Sequence, residues 1–258
     1  MRRSSIFWGV ILIVLATLLL LQQQGLLKGN IFEYFWPVFI LAVGVMILLG
    51  AFSRGRKADG KQVSIPLQGA LSAYIKFEHG AGRLNIHSGA SPTEIVSGVF
   101  GNGVDYKSDL VGNKLEVRLK AQPEFWMPEG MDWDVHLNRD IPLSMKVESG
   151  ASGTVIDLSD LKVTEFRLGT GASSSEVTLP ANTGMTVAKI ESGVASVKVR
   201  VPAGLAARVR VKSGLAGINV DGRFPKVGDG LYQSVDYDTA ANRADIVIET
   251  GVGSVDII

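Results

Sequence analysis

Beyond residue 62 the chain alternates apolar and polar residues, and the alternation is interrupted by a recurring glycine phrase. The phrase reads Glu148-Ser149-Gly150-Ala151-Ser152, Gly169-Thr170-Gly171-Ala172-Ser173, Glu191-Ser192-Gly193-Val194-Ala195, Lys212-Ser213-Gly214-Leu215-Ala216 and Glu249-Thr250-Gly251-Val252-Gly253, with an earlier copy at Glu78-His79-Gly80-Ala81-Gly82. Gly150, Gly171, Gly193 and Gly214 are 21, 22 and 21 residues apart, a period that signals stacked, self-similar units. Three residues before the glycines stand Phe77, Val147, Leu168, Ile190, Val211 and Ile248, and five before stand Ile75, Met145, Phe166, Ala188, Val209 and Ile246. Six after come Ile86, Ile156, Val177, Val199, Val220 and Ile257. Apolar residues spaced by two bury one face of a strand, so each glycine marks a corner between two strand segments. In the copy after Gly214, Ile218 and Val220 should face inward and Asn219 outward. The expected domain, residues 63–258, is all-β and β-solenoid-like, with stacked repeats of about 21–22 residues. Gly80, Gly150, Gly171, Gly193, Gly214 and Gly251 are its corner glycines, placed where a positive φ or a tight corner brings successive units close.

The outward positions are patterned too. Four before the glycine stand Lys76, Lys146, Arg167, Lys189, Arg210 and Val247; two before stand Glu78, Glu148, Gly169, Glu191, Lys212 and Glu249. Two readings are open for this basic column beside an acidic one: a solvated face with diagonal charge pairs, or a docking surface for an acidic partner or anionic lipid.

The amino-terminal region obeys another rule. Ile6–Leu21 and Phe35–Phe52 carry no charge, and each, with its flanks, is long enough to span a bilayer. The expected division is a transmembrane helical hairpin over 1–53, with spans at about 6–24 and 34–52, and a basic linker over 54–62. A cleaved signal peptide is disfavoured, because no small-x-small site follows the first run and a second span comes at once. Arg2 and Arg3 precede the first span and Arg54, Arg56, Lys57 and Lys61 follow the second, so the positive-inside rule puts both termini and the β-domain in the cytoplasm. Residues 1–61 hold seven Lys/Arg and two Asp/Glu, a formal +5, which leaves −4 for the remainder of a chain of net charge +1. A mildly acidic β-domain argues against nucleic acid as a partner.

Between the first two glycine copies the repeat is interrupted. Residues 93–100 read as a strand and 106–120 as a hairpin around Gly112-Asn113. The segment from Pro123 to Trp133 reads as an irregular aromatic loop, and Phe125, Trp126, Met127 and Trp133 are its partner-contact candidates. The competing reading has its tryptophans capping the open end of the stack.

Candidate chemistry is sparse. The chain has no cysteine, hence no thiolate ligand or nucleophile. Its three histidines, His79, His87 and His136, are dispersed; His79 and His87 could meet near the first corner, with no carboxylate at ligand spacing. Asp105, Ser108 and Asp109 do not fit a calcium loop, and Gly150-Ala151-Ser152-Gly153 is one residue short of a nucleophile elbow. The expectation is a non-enzyme without catalytic residues, metal or cofactor.

The charge-poor hairpin, with Phe7-Trp8-Gly9-Val10-Ile11 opening one span and Phe35-Trp36-Pro37-Val38 the other, precedes a basic linker and a glycine-punctuated β-domain. This layout resembles the LiaF family of bacterial membrane proteins. The resemblance implies a β-domain of the toast-rack kind in the bacterial cytoplasmic membrane, and a role with a two-component sensor kinase in the cell-envelope stress response. Its partners would be membrane lipids and a membrane sensor kinase or another membrane protein. A self-assembling, membrane-attached β-stack scaffold, a homo-oligomer, is the alternative.

Overall fold

The computed structural model describes residues 60–122 and 131–258. The expected membrane spans, and Phe125, Trp126 and Met127, lie outside the described residues. Every regular element described is a strand: β1 (Lys61–Pro66), β2 (Ser72–Ser88), β3 (Glu94–Phe100), β4 (Val104–Val111), β5 (Lys114–Ala121), β6 (Trp133–Leu137), β7 (Leu143–Asp157), β8 (Val163–Thr178), β9 (Met185–Arg200), β10 (Ala206–Val220), β11 (Lys226–Gly228), β12 (Leu231–Gln233) and β13 (Arg243–Ile257). β1 begins inside the stretch expected as linker.

Each glycine phrase lies within one long strand. β2, β7, β8, β9, β13 and β10 stand side by side in that order, all parallel and with their glycines aligned. Their length forces a shape. The 15 residues of β7, if straight, would reach about 50 Å at roughly 3.3 Å per residue. Residues 158–162, which return the chain to the start of the parallel β8, reach only about 20 Å. The strand therefore doubles back at Gly150. Burial records the turn: Met145, Val147 and Ser149 point inward before it, and Ser152, Thr154 and Ile156 after it, so the inward parity switches at the corner. Each repeat is thus a two-armed coil, and the core fills the space between the arms.

The core columns match the sequence expectation. The residues five and three before each glycine are buried in all six strands, with Phe166 seated beside the small Ala188 in register. Complementary sizes of this kind keep the column at interior packing density. Burying each such aliphatic side chain contributes about 1.5–3 kcal/mol.

The stack does not follow chain order, because β13 is inserted between β9 and β10. The outward charges give a reason. Val247, the one neutral residue of the basic column, pairs in register with Lys189 on one side and Arg210 on the other. It separates two cations that would otherwise lie directly opposite, an arrangement that destabilises a sheet. As a second consequence, β10 becomes the last long strand, so Ile218 is 38% exposed and Val220 only partly packed on the core. Asn219 faces outward as expected and donates to Asp256 Oδ1 at 3.2 Å.

The corner glycines are not at positive φ; within the phrase that conformation occurs at Gly82 (φ 102°) and Gly253 (φ 143°). The reason for glycine is close approach. A Cβ on Gly150 would lie 2.6 Å from the Gly80 carbonyl oxygen, on Gly171 3.0 Å from that of Gly150, and on Gly193 3.0 Å from that of Gly171. On Gly251 it would lie 2.7 Å from Gly193 O, and on Gly214 2.8 Å from Gly251 O. Each unit presses its backbone onto the next.

At the first end the two arms are extended separately, by β5 and β4 beside the first arm of β2 and by β6, β3 and β1 beside its second. Strand β3 and the β4–β5 hairpin fall where alternation predicted them. At the far end the antiparallel pair β11 and β12 extends only the first arm of β10.

Gly251→Ala should therefore lower unfolding free energy by about 2 kcal/mol or more, the scale of a forced backbone shift. Gly217→Ala, in the second arm of the neighbouring β10 and with nothing within 4 Å of the added Cβ, should be neutral or slightly stabilising. Denaturant midpoints of the two variants check this; equal midpoints would contradict the ladder.

Candidate functional site

Inside the corner runs a polar column at the residue before each glycine, His79, Ser149, Thr170, Ser192 and Thr250, with the equivalent Ser213 of β10 exposed at the far end. The crowded backbone leaves room there for small side chains, and hydroxyls occupy it. At its first end the column is tied together. Ser149 Oγ lies 2.6 Å from Ser152 Oγ, which lies 3.0 Å from Thr154 Oγ1. Farther along, Thr170, Ser192 and Thr250, neighbours in register, have buried hydroxyls without a protein partner among the described residues.

His79 ends the column. It is 3% exposed, and its Nε2–H donates to Met131 O at 2.9 Å, which leaves Nδ1 to accept from the Ser149 hydroxyl at 3.4 Å. Burial pushes its pKa below the ordinary value, against the opposing pull of the Met131 carbonyl and of Asp132. The chain approaches the first corner closely at this point. A Cβ on Gly82 would lie 2.9 Å from the Met131 carbonyl, and the Gly80 corner faces the end of the Met131 side chain.

Trp133 is not a contact residue. It is 1% exposed, with its ring edge-on to Phe100 at 5.0 Å and to His79 at 5.1 Å. The reason lies in the pairing of β6: Trp133 stands opposite Leu84 on β2 and Phe100 on β3, both inward positions. It fills the core from within the sheet, between β2 and β3, rather than covering an exposed strand edge as the capping alternative had it.

The outer face of the first arm carries the two charge columns, and in the basic one Lys76, Lys146, Arg167 and Lys189 are paired in place, while Arg210 makes no ion pair among the described residues. Lys76 lies 2.7 Å from Glu78 and 2.8 Å from Glu148, while Lys146 lies 2.6 Å from Glu148. Lys189 joins Glu191 at 2.6 Å, Lys212 joins Glu249 at 3.1 Å, and Arg167 turns to Glu165 at 2.7 Å. The contacts hold the Glu78, Glu148 and Glu249 carboxyls below the usual range, chiefly through hydrogen bonds from Lys76, Lys146 and Lys212 respectively. A cation column already largely paired to carboxylates fits the solvated face better than a dock for acidic partners. These exposed pairs are individually weak and screened by salt.

The histidines are arranged otherwise than expected. His79 points inward, away from His87, which stands on the outer face of the second arm beside His136 in register. Asp134 joins them, with Oδ1 3.1 Å from His87 Nε2. The Asp134-x-His136 alternation was visible in the sequence; the β2–β6 pairing that brings it to His87 was not.

Residues 54–200 match the N-terminal domain of toast-rack proteins, DUF2154, and residues 6–48 match the LiaI-LiaF-like transmembrane region. Among solved structures, the fold is similar to that of a Clostridium sporogenes ATCC 15579 protein provisionally described as a cell adhesion protein. The TM-score is 0.70 and the identity 21%, over 76% of this chain and 97% of that one. At that identity the likeness speaks for the fold alone. No curated protein matches the chain.

The buried His79 makes a pH prediction. Its folded pKa lies below the ordinary 6.5, so on acidification the unfolded chain takes up the proton first. Its contribution is complete above that value and is lost as pH falls towards the folded one. The denaturant midpoint should drop between about pH 7.5 and about pH 5.5, and His79→Gln should remove most of that drop. An identical drop in the variant would assign the pH dependence elsewhere.

Proposed function

Because the chain belongs to the toast-rack family and carries a LiaI-LiaF-like transmembrane region, we propose that it is a non-enzymatic membrane-anchored regulator of the bacterial envelope stress response. It would act with a two-component sensor kinase or another membrane protein. The observation that carries this reading is the junction of a membrane segment with a β-stack filled side to side by apolar columns, a rigid platform rather than a reaction vessel. The basic flanks at Arg2, Arg3, Arg54, Arg56 and Lys57 support a hairpin with both termini and the β-domain on the cytoplasmic side. A platform regulates only if it contacts the two states of its partner unequally, so the partner must be held at a fixed place. Attachment to the membrane supplies that constraint. Phe125, Trp126 and Met127 remain the proposed contact residues.

Deleting the gene should change the output of an envelope-stress reporter under a wall-active antibiotic. The full chain should restore it, and residues 60–258 expressed without the hairpin should not. An unchanged reporter in the deletion strain would sink the regulatory reading; complementation by the free β-domain would sink the role of the anchor.

A second reading, self-assembly, has its own observation. The outer strands β4 and β11 carry Asp105, Lys107 and Asp109, and Lys226, residues that discourage edge pairing, whereas β1 has Lys61 and Pro66 only at its two ends and no charge between them. The second arm of β10 has no such guard: from Ser213 to Val220 there is no charge, Leu215 is 80% exposed, and β13 is its one strand partner among the described residues. We infer that β1 of a second copy is the occupant. It is the last strand of the same arm at the other end, it runs parallel to β10, and its Val63 and Ile65 continue the inward columns. Such head-to-tail contacts build open assemblies. The purified protein should sediment faster with rising concentration, and Ile218→Lys should abolish this. A wild-type protein of constant size would remove the reading.

A further inference from the structure

The outer face of the second arm holds a side-chain cluster that neither the repeat nor the regulatory reading uses. β2 and β6 are parallel there, with Asn85 opposite Asp134 and His87 opposite His136. The intervening Ile86 and Val135 are buried in the core, so the four flanking side chains share the outer face. Three of them are nitrogen and oxygen donors of metal-binding type, and their ligating atoms all lie within 4.8 Å of one another. Two of the chain's three histidines meet at this one place.

We propose that His87, Asp134 and His136 bind a divalent first-row transition ion of the zinc type, with solvent or a donor from another molecule completing its coordination. Donors around a tetrahedral zinc at about 2.0–2.2 Å are about 3.4 Å apart, and His87 Nε2 and Asp134 Oδ1 are already 3.1 Å apart. The two imidazoles have centroids 4.4 Å apart and are tilted by 55°, so their edges converge with little side-chain rotation.

The protonation pattern supports the assignment. His87 Nδ1 lies 2.9 Å from the Ser88 carbonyl oxygen, an acceptor, so Nδ1 carries the hydrogen. This turns the Nε2 lone pair of the neutral ring towards a carboxylate oxygen. Two lone pairs at that distance repel unless a cation lies between them, either a proton on Nε2 or a metal ion. An imidazole whose other nitrogen is fixed by a backbone carbonyl has the outer-shell arrangement of a metal ligand. Two imidazoles and one carboxylate suit zinc, nickel or copper(II), whereas the hard oxygen shells of magnesium and calcium are not offered.

A bound ion would tie the short β6 to β2. The same strand carries Trp133 into the core and follows Met131 and Asp132, which receive hydrogen bonds from His79 and from the Arg83 amide. The ion would therefore lock the cap of the first corner, making the end of the stack responsive to metal.

The test uses the full chain in detergent, stripped with a chelator and titrated with Zn²⁺ by calorimetry and with Co²⁺ by visible absorption. One equivalent should bind, with cobalt bands of low coordination number that zinc displaces. His87→Gln, Asp134→Asn and His136→Gln should each weaken binding more than about tenfold, since each removes a direct ligand. Circular dichroism and denaturant midpoint without metal should stay unchanged, because the three side chains are on the surface. Zn²⁺ should raise the thermal midpoint of the wild type and not of the variants. Binding that persists in the triple variant would place the ion elsewhere and overturn the proposal. If imidazole resonances of His87 and His136 respond to acid but not to Zn²⁺, a proton alone fills the gap and the proposal fails.

Discussion

At the corner of each repeat the backbone of one unit occupies the space where the next would carry a Cβ. Five successive glycines have their missing Cβ within about 3 Å of the preceding glycine's carbonyl oxygen, and the other constraints follow from that contact. The strand can fold sharply only where side chains are absent, so the two arms have fixed lengths on either side. Arms of seven or so residues with a link such as 158–162 or 201–205 add up to the period of 21 or 22. The position before the glycine is squeezed by the same geometry. It accepts serine and threonine inside the stack, and takes a histidine at the end, where Met131 and Trp133 replace the next unit.

Electrostatics then selects among arrangements that the corner alone would permit. Parallel, in-register strands put identical positions side by side, which stacks like charges. The Glu and Lys columns relieve this by pairing along the strand and diagonally, as Lys76 does with Glu78 and Glu148. Where β9 and β10 would have set Lys189 against Arg210, β13 intervenes with Val247 between them and Glu249 reaching both Lys189 and Lys212, at 3.7 and 3.1 Å. Each such pair is worth little alone. Added along the row, they favour one neighbour order.

The parts legible in the sequence are those governed by period two: the corner glycines, the inward columns, β3, the β4–β5 hairpin. What escaped reading depends on pairing between distant segments. Nothing local says that β13 inserts before β10, although the lone Val247 in the basic column was a signal. Trp133 looked like the end of an aromatic loop, yet Trp133-Asp134-Val135-His136-Leu137 alternates like a strand, and its burial follows once β6 pairs with β2. His87 and His136 meet only because that register is set, 49 positions apart in the chain. Sequence spacing describes one strand at a time; the histidine cluster is a property of two.

The two ends of the stack solve the edge problem differently. At the first end the arms separate into distinct extensions, with charged residues or proline on the outer strands and Trp133 filling the core beneath them. At the far end only the first arm is extended, by β12 and β11, and the second arm stops at β10 with apolar side chains in solvent. A sequence selected only for solubility would have guarded that strand too, since one lysine at an outward position between Ser213 and Val220 would discourage edge pairing. At the corner, Gly214 takes the carbonyl of Gly251 against its Cα, as each corner glycine after Gly80 takes that of its neighbour. The second arm thus ends in an unpaired strand of the same form as those paired at every earlier step, while β12 covers the first.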